Sequence, residues 1–267
     1  MSVRRLINLL LMCSFLLVLG QVRLSALEKE LVSSDLSQIK SSHSIPADQV
    51  RLLDRLEKGI AYYESLKDYK AIFHKTEKIK GAVTDTEKIY LKFEKPWKIY
   101  MGWLNTAKKG LQVVYERGKN GDKLVIHKPG FLFGLVPLVF LEKNSPWVRE
   151  GSESYGIEDA GVGTFLYDFT KAVIRSVREK KLKVRSKGEK IEVTFENTEK
   201  NEHYFAYRVL VLFDKKNDLP LQMELFDWEN ELMGAYSYNE FQANVGNNTE
   251  FRDQIHRQLF KVYAHQE

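Results

Sequence analysis

The stretch of sequence that decides the fold runs from Thr86 to Trp103 and reads TEKIYLKFEKPWKIYMGW. Before Pro96, apolar and polar side chains alternate with a period of two, as they do in a strand with one buried and one wet face. The same alternation resumes at Trp97, directly after the proline. The stretch therefore predicts two neighbouring antiparallel strands that carry their large apolar side chains on one face.

The period of two continues on both sides of this stretch. Alternating runs begin near Tyr69 and Leu111, and further runs fill the second half of the chain around turns such as Lys187-Gly188. Asn120-Gly121 offers the positive φ that a tight hairpin turn needs. Short strands separated by turns predict an antiparallel meander, with one side of the sheet facing water.

Other segments have the helical period of 3.6 residues. We predict helices over Ser44–Leu66 and Thr164–Lys180, and a short closing helix over Thr249–Tyr263. The polar stretch Leu27–His43 predicts a flexible lead-in. No linker rich in Pro, Gly or Ser divides the chain, so we expect one α+β domain over 44–267, a single curved antiparallel sheet packed on two or three helices.

Residues 1–26 have the layout of a secretory leader. Arg4 and Arg5 form a basic start, Leu6–Leu19 is an apolar core too short for a comfortable membrane span, and cleavage after Ala26 fits the small-residue rule. The alternative is an uncleaved N-terminal anchor. A lipoprotein is not expected, because Cys13 lacks a small residue before it. The leader predicts export to the periplasm.

Removal of this leader changes what the composition implies. Cys13 is the only cysteine, so the remaining chain has no thiol for a disulfide or a metal site. Loss of Arg4, Arg5 and Arg23 lowers the formal net charge from +5 to +2. Many of the remaining lysines follow a glutamate, as in Glu87-Lys88, so no basic stripe forms and nucleic acid is not an expected partner.

No residues converge in the patterns that catalysis or metal binding requires. The six histidines are isolated, without the spacing of helical metal ligands, and no G-x-S-x-G motif occurs. The turn Gly161–Thr164 precedes a helix and fits a plain helix start better than an anion site. Asp227 and Glu229 fit a turn. The sequence therefore predicts a protein that is not an enzyme and uses no metal or cofactor.

The segment Gly130–Leu141 contains no charged residue. Twelve residues cannot span a bilayer, so two explanations remain open. In the first, the segment is a buried crossover that fills the core. In the second, it is a lid over a concave sheet whose lining is apolar because its ligand is, with Phe93, Trp97, Met101 and Trp103 in that lining.

The stretch Thr86–Trp103 resembles the periplasmic lipoprotein-carrier (LolA-like) superfamily, in which a strand ends in a basic residue plus Pro and the next strand carries an aromatic residue. The runs Gly110–Tyr115 and Asn120–Leu124 match its next two strands. Through Gly156–Phe165 and Phe241–Gly246, the chain looks closer still to an uncharacterised bacterial family within that group. One departure is Lys95, where the superfamily usually has Arg.

This resemblance implies a half-open β-barrel with an apolar cavity for lipid or acyl groups. The implied function is a monomeric, non-enzymatic periplasmic carrier or binder of lipid or of an acylated protein. The alternatives are an envelope sensor or scaffold that contacts a membrane-protein partner, and an enzyme acting on envelope lipid or glycan. The residues expected to line the cavity and lid are Phe73, Leu91, Phe93, Trp97, Ile99, Met101, Trp103, Phe131, Phe133 and Leu138.

Overall fold

The computed structural model describes residues 30–41, 45–127, 138–143, 145, 156–157, 160–196 and 204–246. Within these residues the helices are α1 (30–40), α2 (Ala47–Ser65) and α3 (Val162–Arg178), with a 3-10 turn at Asn120–Asp122. The strands are β1 (Asp68–Ile79), β2 (Ala82–Val83), β3 (Glu87–Glu94), β4 (Lys98–Trp103), β5 (Gln112–Glu116), β6 (Leu124–His127), β7 (Val139–Leu141), β8 (Leu182–Lys187), β9 (Lys190–Phe195), β10 (Arg208–Phe213), β11 (Pro220–Phe226) and β12 (Leu232–Ala243).

These strands form one open antiparallel sheet. Eleven of them follow the order β7-β6-β5-β4-β3-β1-β12-β11-β10-β9-β8, and β2 extends β1 as a short hairpin. The first long strand therefore lies beside the last one, and among the described strands β7 and β8 form the two edges. The predicted α+β class, with one antiparallel sheet that does not close and three packed helices, is confirmed.

The two faces of the sheet differ as the alternation predicts. In β1, β3 and β4 the register places Tyr69, Phe93 and Ile99 in one row across the strands, and Phe73 and Ile89 in another. All five are buried in the hydrophobic core. We call this the inner face. The outer face of the same strands carries mainly lysine, histidine and tyrosine side chains.

Helices α2 and α3 cover the inner face mainly where β8 and β11 form it. Two glycines allow close approaches: Gly163 brings α3 close to α2, and Gly59 brings α2 close to the turn before β11. A Cβ at Gly59 would lie 2.5 Å from the backbone oxygen of Asp218, and one at Gly163 would lie 2.1 Å from Cζ of Tyr63. Buried residues of the helices and the sheet form one continuous cluster.

The prediction of a flexible lead-in over Leu27–His43 is wrong for residues 30–40, which form α1. Val32, Leu36 and Ile39 recur at helical spacing and are buried in the common core. Ion pairs join α1 to its neighbours, from Arg178 to Asp35 at 2.5 Å and from Lys40 to Glu57 at 2.6 Å. The apolar stripe of α1 is narrow, but its burial against the other helices is sufficient to stabilise the helix.

The other predicted elements agree with the structure to within a few residues. The helix predicted from Ser44 begins at Ala47, after Pro46, and the helix predicted from Thr164 begins at Val162. Asn120-Gly121 does turn the chain, but as a 3-10 turn with positive φ at Asn120, Gly121 and Asp122.

The end of the uncharged segment Gly130–Leu141 lies within the described residues. Its last residues, Val139–Leu141, form edge strand β7 and pair with β6. The segment up to residue 137, the leader and the predicted closing helix lie outside the described residues. Among the described helices, none combines the length and apolar character needed to cross a membrane.

Candidate functional site

The structure brings seven of the predicted lining residues together on the inner face. Phe73 lies on β1, Leu91 and Phe93 on β3, and the others follow on or just before β4: Trp97, Ile99, Met101 and Trp103. The phenylalanines, Leu91, Ile99 and Met101 are fully buried, and the two tryptophans pack against the same core while partly exposed. Leu138 is half-buried beside β7, and Phe131 and Phe133 lie outside the described residues.

The backbones of α2 and α3 come closest to the sheet at β8 and β11. On β3–β7, the apolar side chains of the inner face belong to the same buried core as the helices. The apolar row continues there through Val113 and Tyr115 on β5 to Leu124 on β6. The half of the sheet formed by β3–β7 therefore has a continuous apolar inner face, and its side chains are buried.

Aromatic rings organise the centre of this surface. Tyr69 stacks between Phe93 and Phe241, with ring centroids 5.2 and 5.0 Å away, and Trp97 meets Phe93 edge-on at 5.2 Å. Strand β12 has a bulge around Glu240, whose φ is 52°, and Phe241 follows directly after it. The predicted lining set omitted Tyr69 and Phe241, although both occupy alternating positions of their strands.

Two tyrosine hydroxyls tie this aromatic cluster to the start of α3. The backbone N–H of Val162 donates to the Tyr69 hydroxyl at 3.0 Å, and the Tyr238 hydroxyl donates to the carbonyl of Ala160 at 2.8 Å. Burial raises the pKa of both phenols above the usual value, so both stay protonated. The first helical N–H is therefore satisfied by a side chain from the sheet.

The end of the inner face beyond Phe73 is polar. Lys75 lies 3.2 Å from the Glu77 carboxylate, which also accepts a hydrogen bond from the Tyr236 hydroxyl at 2.9 Å. Glu87 accepts the indole N–H of Trp103 at 3.0 Å and pairs with Lys108. The apolar surface is thus bounded at one end by paired charges, and the face as a whole is amphipathic.

Lys95, the departure from the superfamily pattern, has a structural role. Its ammonium donates to the carbonyls of Tyr63 and Glu64 at 2.7 and 3.1 Å, at the C-terminal end of α2. It also lies 4.4 Å from the centre of the Tyr63 ring. A cation in this place satisfies helix carbonyls that have no intrahelical partner and complements the helix dipole. The basic residue before Pro96 therefore fastens α2 to the end of β3.

One buried donor at the site is unpaired in the described structure. The indole nitrogen of Trp97 is buried and has no hydrogen-bond partner. The ring lies beneath the guanidinium of Arg117, at 4.9 Å, and near Gly161 at the start of α3. A buried N–H without an acceptor costs about 1–3 kcal/mol, so this position would favour a ligand that carries an acceptor.

The histidines and carboxylates of the described residues do not converge on one site. No cluster of three metal-ligating side chains occurs among them. The Asp227 carboxylate accepts the backbone N–H groups of Glu229 and Glu231, as a turn residue does. Burial and nearby Lys88 lower the pKa of His74, whose ring contacts Asn239 on the outer face.

A family model described as "Protein of unknown function (DUF1571)" matches residues 66–257, well over half of the chain. The chain belongs to this family. The matched region spans the sheet from β1 to β12 together with α3. The predicted resemblance to an uncharacterised family is therefore confirmed. No curated protein matches the chain.

Several solved structures resemble this DUF1571 member. A putative outer membrane lipoprotein-sorting protein domain from Vibrio parahaemolyticus is 11% identical, with a TM-score of 0.37, over 77% of this chain and 97% of that one. A LolA superfamily protein from Nitrosomonas europaea is 10% identical, with a TM-score of 0.32, over 71% and 91%. The MucA/MucB complex of Pseudomonas aeruginosa gives 14% identity and a TM-score of 0.38, over 77% and 60%. Likeness at this level transfers no activity to the chain.

Proposed function

We propose that this DUF1571 member is a non-enzymatic binder or carrier of a lipid or an acylated protein, and that the acyl chain lies against the inner face of β3–β7. The observation that carries this proposal is the continuous apolar inner face formed by Leu91, Phe93, Ile99 and Met101. These side chains are buried, so an acyl chain would replace the protein groups that cover them. An acyl chain is the ligand whose chemistry matches a surface of that kind.

The driving force is the transfer of methylene groups out of water. Each buried methylene contributes about 0.8 kcal/mol, which corresponds to about fourfold in affinity. The apolar face ends at the paired charges of Lys75 and Glu77, so the acyl chain would not extend past them. An N–H donor at Trp97 could serve an ester or amide carbonyl of the ligand. The mechanism is binding and release, without a covalent step.

Acyl binding is tested with a series of fatty acids of increasing length and with a pair of matched variants. Val113 and Val114 are neighbours on β5, but Val113 faces the inner side and is buried, whereas Val114 faces the outer side. Val113→Thr keeps the side-chain shape and adds a hydroxyl to the apolar surface. We expect affinity to rise about fourfold per added methylene, and Val113→Thr to weaken binding several-fold while Val114→Thr does not.

Mass spectrometry of lipid extracted from protein purified from its native envelope provides the complementary measurement. We expect an acylated species at a stoichiometry near one per chain. Protein that carries no lipid and binds every fatty acid with the same affinity would contradict the proposal. Capture of one defined membrane protein by such lipid-free protein would favour the sensor or scaffold alternative instead.

We propose further that the protein acts in the periplasm and that residues 1–26 direct its export. The basic start, the apolar core and Ala26 support this proposal. The intact mass of protein from a periplasmic extract is expected to correspond to a chain beginning within a few residues of Leu27. A mass that includes Met1, found in the membrane fraction, would favour the uncleaved anchor.

A further inference from the structure

The outer face of the sheet carries a polar groove at the β8 edge, on the side opposite the helices. The groove has a volume of about 410 Å³ and is lined by side chains of β8, β9 and β10 and of nearby turns. In β8, Leu182 and Val184 face the core, so Lys183, Arg185 and Lys187 all point to the outer side. Alternate residues of a strand are about 6.8 Å apart, so this row of three cations is about 14 Å long.

The groove holds more positive than negative charge. Its lining contains the three cations of β8 and Arg208 of β10, against only two carboxylates, Glu192 and Glu196. Glu196 pairs with Lys183. Glu192 lies 3.3 Å from Arg208 and 3.7 Å from Lys187. Both carboxylates are thus already engaged by cations, and the lining has a formal excess of two positive charges.

Arg185 lies in the middle of this row. Its strand partner is Glu192, but the Glu192 carboxylate is directed to Arg208 and Lys187 instead. Arg185 takes part in none of the ion pairs formed by the described residues. An exposed guanidinium between two lysines, without a counter-ion of its own, is suited to bind an anion.

Protection of a free sheet edge explains only part of this arrangement. Edge strands commonly carry lysine because its charge prevents pairing with another chain. The excess charge does lie on β8, at Arg185 and Lys187, because Arg208 is paired with Glu192. Edge protection gives no reason, however, for an arginine at the centre of the row.

We propose that this groove binds the phosphate groups of anionic phospholipids, so that the β8 edge docks on a membrane surface. The guanidinium matches a phosphate in shape and charge. The row of cations is longer than one phosphate, and the groove is open along the outer face, which favours a surface of headgroups over one small anion. The groove is separate from the inner face, so this docking does not depend on acyl binding there.

Docking is tested by co-sedimentation of the purified protein with lipid vesicles at low and high sodium chloride. We expect binding to vesicles of equal parts phosphatidylglycerol and phosphatidylcholine, little binding to phosphatidylcholine alone, and loss of binding at high salt. A basic residue near an anionic surface contributes about fivefold in affinity. Arg185→Ala should therefore weaken vesicle binding about fivefold, and Arg185→Ala with Lys187→Ala about 25-fold.

Two further variants serve as controls. Lys119→Ala removes an exposed cation from the turn between β5 and β6 and should leave vesicle binding unchanged. Arg185→Lys keeps the charge but loses the planar fork of donors, so it should weaken vesicle binding less than Arg185→Ala does. Equal vesicle binding by wild type and Arg185→Ala would overturn the proposal. So would tight binding of inorganic phosphate that Arg185→Ala abolishes while vesicles are ignored, since the ligand would then be a soluble anion.

Discussion

Gly163→Ala is expected to lower the free energy of unfolding by about 3 kcal/mol or more, although alanine favours a helix by about 1 kcal/mol over glycine. The added Cβ would lie 2.1 Å from Cζ and 2.3 Å from the hydroxyl oxygen of Tyr63. Tyr63 is buried on α2 and cannot move aside freely, because Lys95 packs on its ring and Tyr167 lies edge-on to it. Helices α2 and α3 would have to separate.

Urea unfolding of Gly163→Ala measures this loss, and Gly161→Ala is the matched control. Gly161 has an ordinary negative φ, and a Cβ there would come no closer than 3.5 Å to another side chain. Its substitution should change the unfolding midpoint little. Adding Tyr63→Leu to Gly163→Ala should recover part of the loss, because the clashing ring atoms are removed. Equal midpoints for the two alanine variants would show that α2 and α3 do not approach as closely as the structure has them.

Phe93→Ala is expected to cost about 3–5 kcal/mol of unfolding free energy. Phe93 is 1% exposed and packs between the ring of Tyr69 and the edge of Trp97. Its removal leaves a cavity at the centre of the aromatic cluster that supports the start of α3. We therefore expect the hydrogen bond from Val162 to Tyr69 to weaken as well, since Tyr69 loses a stacking partner.

The control for this variant is Tyr90→Ala, on the outer face of the same strand. Tyr90 is half-buried and makes an edge contact with Tyr100 at 6.2 Å, so we expect a loss of about 1 kcal/mol. Both variants are measured by urea unfolding after lipid extraction, so that ligand does not add to the stability. If both variants cost the same, Phe93 does not hold the central place in the core that its burial indicates.

The inner face could be predicted from the sequence because the alternation of apolar and polar residues along one strand shows which side chains face the core. Every second residue from Ile89 to Phe93 and from Trp97 to Trp103 does lie on one face. The alternation does not show which strands are neighbours. β1 pairs with β12, which lies about 170 residues further along the chain, and no local pattern in either strand indicates this pairing.

The contacts that anchor the helices could not be predicted from the sequence either, for the same reason. The Tyr69 hydroxyl reaches Val162, and Lys95 reaches Tyr63, across long separations in the chain. No local pattern encodes either bond. Helix α1 is a different case, because Val32, Leu36 and Ile39 do have helical spacing. Three apolar residues in a polar stretch give a weak local signal, and the neighbouring helices supply the burial that stabilises α1.

The open sheet described above has a mechanical consequence. Because β7 and β8 are not hydrogen-bonded to each other, the sheet can change its curvature by small changes of twist between successive strands. No inter-strand hydrogen bond has to break for the two margins to move apart or together. In a closed sheet, the number of strands and their stagger would fix the diameter. The curvature of this sheet is therefore not fixed by closure, and under the proposed function acyl groups of different size would be accommodated without unfolding any strand.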